Sequence, residues 1–172
     1  MLKYAFFWLR STTAASLGFL LLLPLAYGDS ALKVGDRAAD WILVDQEGKT
    51  VSFYQDSNQR PAVLLFWASW CSSCAELLPE LNALQEQLEQ QDIRFYALNI
   101  WEDAAPSSYV ESNDFDFTLL LNADRVAKRY KVRRTPGLFV VNADKSIGYI
   151  RRGNSSNEEV LEAIKSVAAA HN

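Results

Sequence analysis

A run of apolar residues that leads directly into a pair of cysteines places the strongest limit on the fold of this chain. The run, AVLLFW, spans Ala62–Trp67 and is typical of a strand buried on both faces of a parallel sheet. Cys71 and Cys74, which follow it, are the only cysteines among the 172 residues. Leucines then recur at spacings of four, three and four residues, which predicts a helix with one apolar face: Leu77, Leu81, Leu84 and Leu88. The cysteines therefore lie at a strand-to-helix junction.

The remaining periodicity predicts an α/β domain built on a mixed sheet and preceded by a β-hairpin. The hairpin joins residues 42–44 and 51–53 across DQEGK, with Gly48 in the turn. Further strands are predicted at residues 93–100, 118–121, 138–142 and 147–152. Further helices are predicted to begin at Pro106 and to cover residues 124–130 and 158–170.

The first 28 residues have the pattern of a secretory leader. Lys3 and Arg10 supply positive charge, residues 17–26 (LGFLLLLPLA) are apolar, and Ala26 and Gly28 put small residues where a leader peptidase cleaves. An uncleaved membrane anchor stays open, because the uncharged run from 11 to 28 approaches the roughly 20 apolar residues of a spanning helix. In both cases the positive end stays inside, and residues 29–172 form one exported domain.

Net charge argues against one class of partner, and export limits what the two cysteines can do. The formal charge of −4 gives no electrostatic reason to expect a nucleic-acid partner. Exported proteins meet an oxidising compartment, where cysteines form bridges. A bridge between Cys71 and Cys74 closes a very short loop, which restricts the unfolded chain little. The pair is therefore a poor structural staple.

Metal and haem sites do not fit the composition. A structural zinc site needs four ligands, whereas this chain has no other cysteine and a single histidine, His171. Covalent haem attachment needs a histidine directly after the second cysteine, and that position holds Ala75. We therefore predict no metal and no cofactor.

A redox pair needs an accessible thiolate and a second thiol within reach. The predicted junction puts Cys71 at a helix N-terminus, where free N–H groups and the helix dipole favour an anion, so Cys71 is the expected nucleophile. Cys74 lies one turn further along on the same face and deeper in the protein. It is the expected resolving thiol.

Two separated motifs resemble the thioredoxin superfamily. They are FWASWCSSC with Pro79 after it, and YKVRRTPGLFVVNADKSIGYI at residues 130–150. The leader, the early hairpin and the insertion at residues 101–117 look like its exported TlpA, ResA and CcmG branch. The resemblance implies a thioredoxin fold over residues 29–172, in which helices flank a central mixed sheet that carries an N-terminal β-hairpin extension.

The resemblance also implies a function. Members of this branch are periplasmic thiol-disulfide oxidoreductases, commonly reductants of protein disulfides in cytochrome c maturation or related thiol handling. They receive electrons from a membrane thiol-disulfide donor. By analogy, Thr135 and Pro136 form the cis-proline pair that faces the cysteines and binds the substrate strand. Leu65 replaces the buried Asp of thioredoxins, and Glu102 is the expected proton acceptor for Cys74, against the alternative of a solvated loop acid.

Two further features have competing interpretations. Trp67 continues the buried strand, whereas Trp70 directly precedes Cys71 and is predicted to form an apolar lip for the substrate, against the alternative of simple packing. The basic run at residues 125–134, RVAKRYKVRR, is either a surface that steers an acidic partner or a solvated helix face. We favour the helix face.

Three other functions compete with this prediction. A copper-handling protein resembling Sco would need a longer cysteine spacing and a distal histidine, and a peroxiredoxin would carry a threonine where this chain has Ala68. A non-catalytic binding or assembly factor with the same fold is the remaining alternative. The sequence therefore predicts an exported oxidoreductase that uses its Cys-Ser-Ser-Cys dithiol on protein substrates.

Overall fold

The predicted buried strand is the centre of the sheet in the computed structural model, which describes residues 31–102, 106–113 and 115–171. Strand β3 spans Ala62–Trp67, and all six of its side chains are buried. The predicted signal peptide or anchor, residues 1–28, lies outside the described residues. Among the described residues, no helix is both long enough and apolar enough to cross a membrane.

Seven strands of the described part of the chain form one mixed sheet in the order β2-β1-β5-β4-β3-β6-β7. The strands β3, β4 and β5 are parallel to one another, and β6 runs antiparallel to β3 on the other side. The remaining strand bounds are β1 Ile42–Asp45, β2 Thr50–Ser52, β4 Arg94–Asn99, β5 Thr118–Leu121, β6 Gly137–Val141 and β7 Ile147–Ile150. The mixed sheet predicted from the sequence is confirmed.

The N-terminal hairpin is the edge of this sheet. Its turn contains Gly48, whose φ of 83° lies in the left-handed region that glycine adopts without strain. Strand β1 pairs with β2 through the hairpin and with β5 on its other side. Phe53, which the sequence assigned to the second strand, instead begins helix α1, Phe53–Ser57, and is fully buried.

Alternate residues of β3 point into two separate cores. Val63, Leu65 and Trp67 pack with α2, Ser72–Gln87, and α5, Asn157–Ala169. The opposite core lies under α1 and α4, Asp124–Arg129, and its largest side chains include Phe53, Tyr96 and Tyr130. The remaining helices are α3, Pro106–Ser112, and a single 3-10 turn, Glu89–Gln91. Helices therefore cover both faces of the sheet, as expected for a buried parallel core.

Candidate active site

Cys71 lies between the end of β3 and the start of α2. The chain turns after Trp67, and the backbone N–H of Cys71 donates to the carbonyl of Ala68 (3.1 Å). Cys71 is the N-cap of α2, and its Sγ accepts a hydrogen bond from the backbone N–H of Cys74 (3.2 Å). The sulfur thus takes the place of the oxygen that usually caps a helix. Free N–H groups and the helix dipole favour negative charge on this sulfur.

The two cysteines form a disulfide, and their exposures differ. Their Cα atoms are 5.2 Å apart, within the usual range for a bridge. Cys71 is 7% exposed, whereas Cys74 is 1% exposed and packs among the leucines of α2. A molecule that approaches from solvent therefore meets the sulfur of Cys71 first.

Thr135 and Pro136 lie at the same end of the sheet as the cysteines. The peptide bond between them is cis, as the resemblance implied. Gly137, the next residue, begins β6 and pairs with Phe66, one residue before the end of β3. Thr135 and Pro136 share a groove of about 770 Å³ with Ser73, which lies between the two cysteines.

Glu102 contacts the loop that carries the cysteines. Its carboxylate accepts hydrogen bonds from the backbone N–H (2.9 Å) and the hydroxyl (2.7 Å) of Ser69. The side-chain amide of Asn99 donates a further bond (2.7 Å). Ser69 is two residues before Cys71. The half-buried carboxylate is therefore held against the active-site loop.

The two tryptophans beside the cysteines differ as the sequence predicted. Trp67 is fully buried, whereas Trp70 is 53% exposed. The indole N–H of Trp70 donates to the carbonyl of Trp101 (2.8 Å), which fixes the ring at the surface. Leu65 is 3% exposed and lies in the same core cluster as both cysteines. Strand β3 therefore brings no carboxylate beneath the disulfide.

The family of the chain follows from a comparison with protein-family models. Residues 34–150, more than half of the chain, match the model of the AhpC/TSA family. The chain belongs to the AhpC/TSA family. Its match includes β3, both cysteines and the cis-proline pair.

Several relatives of this AhpC/TSA protein are named thiol-disulfide oxidoreductases. It is 24% identical to "Thiol-disulfide oxidoreductase ResA" of Bacillus cereus over 90% of each chain. It is 25% identical to the protein of the same name from Geobacillus kaustophilus, over 88% of this chain and 89% of the relative. The sequence prediction of a thioredoxin-superfamily enzyme of the thiol-disulfide oxidoreductase class is confirmed at that level.

Solved structures share the fold of this AhpC/TSA domain. A putative thiol:disulfide interchange protein DsbE from Chlorobium tepidum superposes with a TM-score of 0.71 at 23% identity, covering 80% of this chain and 99% of the other. StoA from Bacillus subtilis superposes with a TM-score of 0.60 at 20% identity, covering 73% and 96%. At these identities the likeness establishes the thioredoxin-like fold.

The basic run at residues 125–134 requires a correction, because it is not one solvated helix face. Helix α4 ends at Arg129, and Lys131 has a φ of 56°, which a right-handed helix does not allow. Lys131, Arg133 and Arg134 instead line the groove beside Thr135.

The sequence interpretation also missed Ser69 and Asn99, which both donate hydrogen bonds to Glu102. One signal was available, because Asn99 is a polar residue in the otherwise apolar stretch FYALNI and is 3% exposed. Buried polar side chains need hydrogen-bond partners, so such an asparagine indicates a nearby polar contact.

Among the described residues, no group of three or more His, Cys, Asp or Glu could hold a metal ion.

Proposed function

We propose that the protein is an exported thiol-disulfide oxidoreductase in which Cys71 and Cys74 alternate between dithiol and disulfide. The observation that carries this proposal is the unequal exposure of two bonded cysteines at a helix N-terminus. Cys71 is the reachable sulfur and receives the stabilisation that α2 gives to an anion. Cys74 is within bonding distance of Cys71 but shielded from solvent, as suits a thiol that resolves and does not attack.

The reaction proceeds by two thiol-disulfide exchanges. The thiolate of Cys71 attacks one sulfur of the substrate disulfide, forms a mixed disulfide and releases the other sulfur as a thiolate. The thiolate of Cys74 then attacks Cys71 and releases the second substrate sulfur. In total the substrate disulfide gains two electrons, and the protein dithiol loses two electrons and two protons.

Four further residues have roles in this proposal. Glu102 accepts the proton of Cys74 before resolution, a role supported by its contact with the loop that carries Cys71. Thr135 and Pro136 bind the substrate backbone beside the sulfurs, because Pro136 has no N–H and lies in the same groove as Ser73. Trp70 provides an apolar surface for the substrate.

We propose a reductive direction in the periplasm. The names of the relatives support the class of reaction, and the leader pattern supports export, by a cleaved signal peptide or an N-terminal inner-membrane anchor. A reductant in an oxidising compartment needs an electron source, so a membrane thiol-disulfide donor is the expected partner. Protein disulfides, including those of apocytochromes c during maturation, are the proposed substrates.

Peroxide reduction of the peroxiredoxin type is not part of this proposal. The position three residues before Cys71 is Ala68, which is 1% exposed and has no hydroxyl to offer a peroxide oxygen. Its carbonyl is already bonded to the N–H of Cys71.

Single-turnover kinetics with two serine variants test the proposed function. Reduced protein is mixed with hydroxyethyl disulfide, a small neutral substrate, and samples are quenched with acid and weighed by mass spectrometry. Cys71→Ser is expected to lose the reaction, whereas Cys74→Ser still attacks and accumulates a mixed disulfide at Cys71.

The same two variants are also tested in vivo. Covalent capture of an apocytochrome by Cys74→Ser would support the maturation role, and capture of many unrelated envelope proteins would favour a general reductant.

The test also distinguishes the non-catalytic alternative. If Cys71→Ser lacks reductase activity but fully replaces the natural protein in the cell, the protein is a binding or assembly factor. If Cys74→Ser forms no mixed disulfide, the assignment of nucleophile and resolving thiol is wrong.

A further inference from the structure

A groove beside the disulfide is lined by many basic side chains. It has a volume of about 770 Å³ and contains Ser73, Thr135 and Pro136. The cations along it come from two separate segments, the loop before β6 and the end of β7: Lys131, Arg133, Arg134, Arg151 and Arg152. We call these five residues the basic groove. Its cations contrast with the net charge of −4 of the whole chain.

The arginines of the basic groove are not neutralised within the described residues. No Asp or Glu is among the described residues that line the groove. None of its four arginines forms an ion pair with a described carboxylate. Arg151 instead donates to the carbonyl of Ser155 (3.5 Å) and to the side-chain oxygen of Asn157 (3.4 Å). Positive charge is therefore concentrated beside the sulfurs.

One arginine is seated closely on the backbone at the rim. A methyl group added at Gly153 would lie 2.7 Å from Nη1 of Arg134, so the guanidinium lies directly against the backbone of Gly153. The floor of the groove is partly apolar and includes Val132, Leu138 and Ile150. An apolar floor with a cationic rim suits a segment of polypeptide better than a free inorganic ion.

We propose that the basic groove selects disulfide substrates whose flanking residues are acidic. The occupant is an extended protein segment with Asp or Glu next to its cystine, held over the cis-proline pair while Cys71 attacks. Complementary charge speeds encounter and discourages basic substrates, and salt screens it. This inference rests on the proposed function, because it names the substrate class of the same site.

Three matched peptides test the selectivity. Each contains one intramolecular disulfide flanked by four Asp, four Asn or four Lys residues, and each is mixed with the reduced full chain. We expect the second-order rate constant for the Asp peptide to exceed that for the Asn peptide about tenfold at low ionic strength, with the Lys peptide slowest. In 0.5 M salt the Asp and Asn rates should converge to within about twofold.

Paired charge reversals assign the effect to the groove. Arg133→Glu with Arg134→Glu leaves three cations and two carboxylates along the groove, so the Asp preference should be largely lost. The matched control is Lys128→Glu with Arg129→Glu, two exposed cations of the same basic run that do not line the groove. The control changes the net charge equally and should keep the Asp preference. Arg152→Glu is a second, single groove variant in case the double variant disturbs the loop before Pro136.

Hydroxyethyl disulfide separates the two ways in which this experiment can fail. If wild-type protein does not reduce that neutral molecule, the proposed function is wrong. If it does, but the three peptides react equally or the groove and control variants behave alike, the selectivity is overturned and the oxidoreductase function stands.

Discussion

The sheet face under α1 and α4 and the sheet end that carries the cysteines both contain polar groups, but they use them differently. Under α1, the hydroxyl of Tyr96 donates to the carboxylate of Asp56, and Arg60 forms an ion pair with Asp92 (3.2 Å). Lys145 is 6% exposed and donates to the carbonyl of Arg60 (3.3 Å). Each of these groups bonds to another part of the protein.

At the cysteine end, several groups face solvent or the groove, even where they also bond within the protein. Trp70 is 53% exposed, and the arginines of the basic groove form no ion pair with a described carboxylate. Bonds between protein groups stabilise the fold, whereas groups that face a groove contribute to binding. Substitutions under α1 should therefore change the free energy of unfolding, and substitutions at the cysteine end should change reaction rates.

Among these substitutions, Glu102→Gln is expected to have the largest effect, and that effect is on the reaction rate. Removing a proton acceptor should slow resolution of the mixed disulfide about 100-fold near neutral pH, the lower limit usual for general-base catalysis. The loss should shrink as the pH rises, because the Cys74 thiol then ionises without help. Rapid acid quench of the mixed disulfide at several pH values measures both.

Ser69→Ala is the matched control for Glu102. It removes the hydroxyl that donates to the carboxylate (2.7 Å) and leaves the carboxylate in place. We expect its resolution rate to stay within about threefold of wild type, because the loss of one hydrogen bond is ~0.5–1.5 kcal/mol. Equal losses in both variants at every pH would mean that Glu102 holds the loop and does not move the proton.

Tyr96→Phe should have the opposite effect: it should lower the stability of the fold and leave the reaction rate unchanged. Tyr96 is 1% exposed, and its hydroxyl donates to Asp56. Removing a hydrogen bond to a charged group should lower the free energy of unfolding by about 2 kcal/mol. Urea unfolding of the disulfide form measures this loss, and the rate with hydroxyethyl disulfide should not change. Tyr149→Phe, at a half-exposed site, should cost less than half as much. A slowed reaction in Tyr96→Phe would break the separation of the two regions.

The sequence predicted the elements whose causes are local. An apolar run, leucines at helical spacing and a cysteine at the junction were enough to identify β3, α2 and the N-cap position of Cys71. These features depend on residues within a few positions of one another. The family resemblance added the cis bond before Pro136, which no local pattern of this chain required.

The contacts that the sequence did not predict join distant segments. Glu102 bonds to Ser69, 33 residues earlier in the chain. The basic groove forms only because β6 pairs with β3 and β7 pairs with β6, which brings Arg152 and Arg134 to the same end of the sheet. The charges along one segment of sequence reveal neither the Glu102–Ser69 contact nor the groove. The basic run at residues 125–134 therefore resembles a helix face in the sequence, although the fold places part of it in the groove.

Alkaline pH provides a further test of the region under α1 and α4. Burial raises the pKa of Tyr96 and of Tyr130 above the ordinary tyrosine value, and for Tyr96 the hydrogen bond to Asp56 adds to this shift. Below about pH 10 both tyrosines keep their protons whether the chain is folded or unfolded. Above it, the unfolded chain releases protons that the folded protein retains, so the free energy of unfolding falls as the pH rises.

Well above pH 10 the slope approaches about 1.4 kcal/mol per pH unit for each of these two tyrosines, and near pH 10 it is about half of that. Urea unfolding of the disulfide form between pH 9 and 11 measures the slope. Tyr96→Phe removes the contribution of Tyr96 and should make the decline shallower. Parallel curves for the variant and the wild type would show that Tyr96 loses its proton as easily in the folded protein as in the unfolded chain.

Trp70→Ala should give the smallest effect and the cleanest separation of binding from stability. Its ring is 53% exposed, so the free energy of unfolding should change by only about 0.5 kcal/mol. If the ring forms a lip for the substrate, KM for a protein disulfide should rise about fivefold, equivalent to ~1 kcal/mol, with kcat retained. Ile42→Ala removes another exposed apolar side chain, 68% exposed on the edge hairpin, and should leave KM unchanged. A fall in kcat without a change in KM would instead mean that Trp70 orients Cys71 for the exchange step. A lip that only binds substrate changes KM and leaves the exchange step unchanged.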